Sequence, residues 1–135
     1  MKWLHRFDRL TKFIRREDGS YTAEAVIWTP VFALLLALLA DTSIIFGDQS
    51  LVLRDVQDAN RGLSVGYFTS VSQATTYLQN RVQAISPNAT ISMTVNNGII
   101  STVVTMPTRD LTATGLVSVF RNAKVSVASS QLSES

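Results

Sequence analysis

Sixteen consecutive residues without a charge, Ala25 to Ala40 (AVIWTPVFALLLALLA), limit what this chain can fold into more than any other feature. As a helix the run is about 24 Å long, and its resumption past Asp41 as TSIIFG, ending at Gly47, brings it to about 35 Å, against a hydrocarbon core of about 30 Å. Leu34, Leu35, Leu36, Leu38 and Leu39 leave no polar face, which a helix of a small soluble protein needs. The run therefore reads as a membrane span with Asp41 near its far interface. A cleaved secretory signal fits less well. A cut after Ala40 would set Leu38 where signal peptidase needs a small residue, and an unusually long charged region precedes the run.

Charge gives the orientation. Lys2, Arg6, Arg9, Lys12, Arg15 and Arg16 face Asp8, Glu17 and Asp18 in the first nineteen residues, a balance of +3, whereas the rest of the chain holds six bases against seven acids. The basic character belongs to the N-terminal segment, so a nucleic-acid-binding body is not expected. Across the span, Arg54 and Arg61 are the nearby bases. The excess of bases before the span predicts a cytoplasmic N-terminus and an extracytoplasmic body, in a single pass through the membrane. There is no cysteine, which excludes disulfides and thiolate metal ligands.

Between leader and span lies RREDGSYTAEAVIW, residues 15 to 28. Gly19, Ser20, Tyr21, Thr22, Ala23 and Glu24, after a short basic leader and before an apolar helix, resemble the processing site of type IV prepilins. There the bond after the Gly is cut and a Glu stands at the fifth mature position. The closer resemblance is to the TadE-like pseudopilins of the tight-adherence (Tad/Flp) pilus system. These look like RR-x-x-G-S-x-x-x-E followed by a Leu-rich helix with a proline, here Pro30, and a small extracytoplasmic domain. The resemblance covers residues 13 to 47. It implies a prepilin peptidase acting between Gly19 and Ser20, and other pilins, pseudopilins and the Tad assembly platform as partners. It also implies that Glu24 pairs with the N-terminal amine of a neighbouring subunit; pairing is what makes a buried charge tolerable. Residues alone offer plainer readings. Gly19 serves as a flexible joint, and Glu24 is an acid favoured in a first helical turn by the macrodipole. Pro30 bends the helix, either incidentally or for packing. Ala33 and Ala37, with Ala40, Ser43 and Gly47, form a small-residue stripe suited to close helix contact, or reflect alanine content.

Past the span, Val52, Val56, Ala59, Leu63 and Tyr67 recur at helical steps, so the helix is expected to continue out of the bilayer to a break near residues 66 to 70. Val71, Ala74, Leu78, Val82 and Ile85 mark a second helix that Pro87 and Asn88 stop. ISMTV, NNG and a β-branched run from Ile99 to Thr105 predict a β-hairpin ending at Pro107. TRDLTATGLVSVFRNA suggests a short helix carrying Leu111, Leu116, Val117 and Phe120, and KVSVASSQL a last strand. The expected class is α+β. A single transmembrane helix continues into an extracytoplasmic helix, followed by a helix over residues 70 to 86 packed on a three-stranded antiparallel sheet. The divisions are a cleaved leader at 1–19, a pilin-like span at 20–47, a helical stem at 48–69 and a small domain at 70–135.

Catalytic chemistry finds no support. The single histidine, His5, lies in the leader, and Asp48, Asp55 and Asp58 beside Arg54 and Arg61 read as a solvated face without metal-ligand spacing. No phosphate loop is present. NAT at residues 88 to 90 matches a glycosylation sequon too short to carry weight. No cofactor, metal or small-molecule substrate is expected. Two function classes remain: a minor pseudopilin serving pilus assembly and surface attachment, and an unprocessed, signal-anchored binding domain of the envelope.

Overall fold

The computed structural model describes residues 18 to 114 and 122 to 134, with side chains from Tyr21 onward. The basic leader, and Leu116, Val117 and Phe120 of the expected short helix, lie outside the described residues. Contacts divide the chain into one unit up to Leu36 and a second from Ala37 to Ser135. The helix α1, Asp18–Ser64, runs through both. Among the described residues of the first unit it is the one element, and its apolar residues Val26, Ile27, Trp28, Val31, Phe32, Leu34, Leu35 and Leu36 are all exposed. It is long and apolar enough to cross a membrane, and none of its most apolar stretch is buried.

The second unit is α+β. It adds α2 (Val71–Val82), β1 (Thr90–Asn96), β2 (Ile99–Pro107), a 3₁₀ turn (Thr108–Asp110) and β3 (Lys124–Leu132). The strands form one antiparallel sheet in the order β1, β2, β3. The NNG signal works as the backbone requires. Asn97 and Gly98, at φ of 52° and 75°, are the two central residues of a two-residue hairpin turn closed by the pair Asn96 and Ile99. A type I′ turn needs positive φ at both positions, which Asn and Gly tolerate best.

Alternation decides what faces the core. On β2, Ile100, Thr102, Val104 and Met106 are buried, and their cross-strand partners Met93, Ile91, Val127 and Val125 share that face. The opposite face is rich in Ser and Thr. Two cross-strand hydroxyl pairs, Ser101 with Ser130 and Thr105 with Ser126, each stand 3.2 Å apart there. Against the inner face pack Ile45, Val52, Val56 and Ala59 of α1 and Leu78 and Val82 of α2, with Leu111. Fully burying each of the large aliphatic side chains is worth about 1.5–3 kcal/mol.

Two helix ends show the local chemistry. α1 stops at Ser64, short of Tyr67, which is exposed, because Gly66 takes φ of 76° and the Gly66 and Phe68 amides bond back to the Leu63 and Gly62 carbonyls. The Phe68 ring lies so near Gly62 that a Cβ there would sit 2.5 Å from Cε2, which explains a glycine in a helix interior. α2 starts at Ser70, whose hydroxyl accepts from the Gln73 amide at 3.2 Å, while the Gln73 side chain accepts from Thr69 N and Oγ1. That is a capping box shifted by one residue.

Polar groups in the core are paired. Thr102 Oγ1 donates to Asn60 Oδ1 at 2.6 Å, and both residues are fully buried. Asn60 Nδ2 donates to the Ser129 carbonyl and Ser64 Oγ to that of Leu132, which ties α1 to β3. Asp55, expected on a solvated face, is instead nearly buried and accepts from Arg81 Nε at 2.7 Å, joining α1 to α2. The helix expected in residues 108 to 123 appears among the described residues only as the 3₁₀ turn, held by Asp110. Its carboxylate accepts from Ser86 Oγ at 2.8 Å and from the Asn88 amide and side chain. Asn88, the residue of the sequon, thus closes the turn after α2.

Candidate functional site

The segment around Glu24 is built by the first turns of α1. α1 is described from Asp18 onward, so the Gly19–Ser20 peptide bond lies in its first described turn.

Glu24 follows four residues after Ser20, on the same side of the helix. Its carboxylate shares an exposed face with its neighbour Ala25 and with Tyr21, Trp28 and Phe32, which stand three, four and eight residues from it. The Trp28 and Phe32 rings stack obliquely at 6.2 Å between centroids. No ion pair reaches Glu24 among the described residues, so an acid sits on a strip otherwise aromatic and aliphatic.

One turn farther on, Pro30 lies inside the helix. Having no N–H, it offers no donor to the Val26 carbonyl, four residues back. Thr29 turns its hydroxyl inward and donates to the Ala25 carbonyl at 2.6 Å. Thr42 does the same to Leu38 at 2.7 Å, so hydroxyls within the apolar run are satisfied by their own helix. Ala33 is exposed, whereas Ala37, at 8 % exposure, is covered within the chain.

The feature that sequence reading missed is the environment of Asp41. This acid interrupts the apolar run and is fully buried. Its Oδ1 accepts from the amides of Ala113 and Thr114 at 3.1 and 2.9 Å, and its Oδ2 accepts from Thr114 Oγ1 at 2.7 Å. Two successive backbone N–H groups and a hydroxyl converging on one carboxylate form a small anion cradle. Ala37, Asp41, Ile45, Val52, Val56 and Ala59 then make one buried seam along α1. The seam therefore starts inside the apolar run. The signal available in the sequence was a charge that had to be paired, since an unpaired buried carboxylate is too costly to keep. Its partners lie 72 and 73 residues away, beyond the reach of local pattern.

No cluster of His, Cys, Asp and Glu suited to a metal occurs among the described residues. Comparison with protein-family models, with curated proteins and with solved structures gave no match.

Proposed function

We propose that this chain is a minor pseudopilin of a Tad/Flp-type pilus. In this reading it is anchored by α1 with its N-terminus in the cytoplasm and is cut by a prepilin peptidase between Gly19 and Ser20. The observation that carries the proposal is Glu24, a carboxylate without an ion pair among the described residues, on the exposed apolar face of α1 and one turn after a Gly–Ser bond. An anchor alone gains nothing from it. On insertion scales an acid at the centre of a span costs roughly 2.5–3.5 kcal/mol, and less near the interface where Glu24 stands. Cleavage would free the Ser20 amine, a cation one helical turn from the carboxylate. In a bundle of such helices, each amine then has a neighbour's Glu24 to meet. The Val26 carbonyl left without a donor by Pro30 adds a second polar group that a neighbouring helix can satisfy.

In this reading the Asp41 cradle supports a far interface near Asp41: a carboxylate held by loop amides suits the water side, and twenty residues from Tyr21 to Ala40 at about 1.5 Å each give about 30 Å.

Piliation tests the role of Glu24. In cells whose Glu24→Val protein reaches the membrane in wild-type amount, pilus assembly is expected to fail, because a neighbour's amine is left buried and unpaired at about 3–5 kcal/mol. Normal pili in those cells refute it and leave the anchored binding domain.

A further inference from the structure

The end of the sheet where β2 stops and β3 starts carries an open notch of about 230 Å³, lined by Pro107, Arg109, Asn122, Ala123 and Lys124. We propose that this notch binds the phosphodiester of an anionic phospholipid in the leaflet from which α1 emerges. The inference rests on the membrane reading of α1 and is independent of cleavage at Gly19.

Three observations carry it. The walls are fixed, because Thr108 donates from both its amide and its hydroxyl to the Ala123 carbonyl, at 3.1 and 2.9 Å. The cations are available. Lys124 is exposed and forms no ion pair among the described residues. Arg109 is 63 % exposed, and its one ion pair among the described residues is at 3.8 Å with Asp110, a carboxylate already occupied by Ser86 and Asn88. A guanidinium offers five N–H donors, so most of them remain for an anion. The position is the third. Arg109 lies four residues before Ala113, and the Ala113 and Thr114 amides hold Asp41, the first residue after the apolar run. Asn60 and Ser64 bond to Ser129 and Leu132, so α1 and β3 advance together and the notch, at the start of β3, lies toward the earlier residues of α1's buried part. Pro107 and Ala123 add an apolar wall for the glyceryl carbons that a phosphodiester brings and inorganic phosphate lacks. Each basic residue at an anionic leaflet strengthens association about fivefold.

Hydrogen exchange on the full chain in lipid nanodiscs tests this. Backbone amides of residues 108 to 112 and 123 to 125 should exchange at least about fivefold more slowly in discs of phosphatidylcholine mixed with phosphatidylglycerol than in phosphatidylcholine alone. The double variant Arg109→Gln, Lys124→Gln should lose that difference while keeping the wild-type circular dichroism spectrum and a cooperative melt. Inorganic phosphate added to phosphatidylcholine discs at matched ionic strength should not reproduce the protection. Equal exchange in the two bilayers, protection that survives the double substitution, or protection by phosphate alone would each overturn the lipid site. Retention of the chain in phosphatidylcholine discs after a carbonate wash reports the span separately. A retained chain without glycerol-lipid protection removes the notch proposal alone, whereas a chain that washes off removes both.

Discussion

Replacing Thr102 by Val tests whether the buried contact between α1 and the sheet is a satisfied polar pair. The substitution keeps the shape of the side chain and exchanges its hydroxyl for a methyl. Asn60 Oδ1, which accepts from Thr102 at 2.6 Å and is shut off from water, then has no donor. A buried acceptor left unmet costs about 1–3 kcal/mol, against a gain near 0.8 kcal/mol for the added methyl, so a net loss of about 0.2–2.2 kcal/mol, centred near 1 kcal/mol, is expected. For a domain of this size each kcal/mol moves the midpoint by about 4–8 °C. Thermal unfolding of the full chain in detergent, followed by circular dichroism, should therefore show a fall of about 4–8 °C for the central loss near 1 kcal/mol. Substituting Asn60 by Leu together with Thr102→Val removes both polar groups, and the loss should shrink below the sum of the two single losses. A Thr102→Val protein as stable as wild type, or strictly additive losses, would refute the reasoning.

Two further outcomes follow from other contacts. Burial alone would raise the Asp110 carboxyl, but hydrogen bonds from Ser86 and Asn88 and the nearby Arg109 outweigh it and hold its pKa below the usual value. Its contribution is therefore present above the unfolded pKa, about 3.9, and is lost as pH falls through the lower folded value. Asp110→Asn should flatten the acid limb of a stability-versus-pH curve; an unchanged limb contradicts that assignment. Gly98→Ala forces a Cβ into φ of 75° and should cost about 1–2 kcal/mol, read as a lowered urea midpoint with unchanged slope. An unshifted midpoint would mean that the turn relaxes to another type.

Local signals were legible where one residue type answers one local demand. Val71, Ala74, Leu78 and Val82 marked α2, and Asn97 and Gly98 fixed the hairpin register. The steps Val52, Val56 and Ala59 gave the buried seam. Side chains with distant partners were not legible. Asp55 reads as a solvated acid until Arg81, 26 residues on, is brought beside it by α2. Asp41 reads as a mark of the membrane edge until the loop at Ala113 closes over it. Tyr67 fits the helical stripe, yet the turn at Gly66 ends the helix first. Val95 alternates with Ile91 and Met93 but lies at the hairpin end and stays 43 % exposed. Glu24 was legible from its spacing to Gly19, and the exposed strip it shares with Trp28 and Phe32 is the same helical periodicity.

The most direct measurement is the intact mass of the protein extracted from membranes of cells that contain a prepilin peptidase, compared with that of its Gly19→Leu variant. The account predicts a wild-type chain that begins at Ser20 and a variant that keeps its leader and stays in the membrane at full length. Wild-type protein recovered with Met1 or Lys2 still attached would contradict the assignment of this chain as a processed pseudopilin.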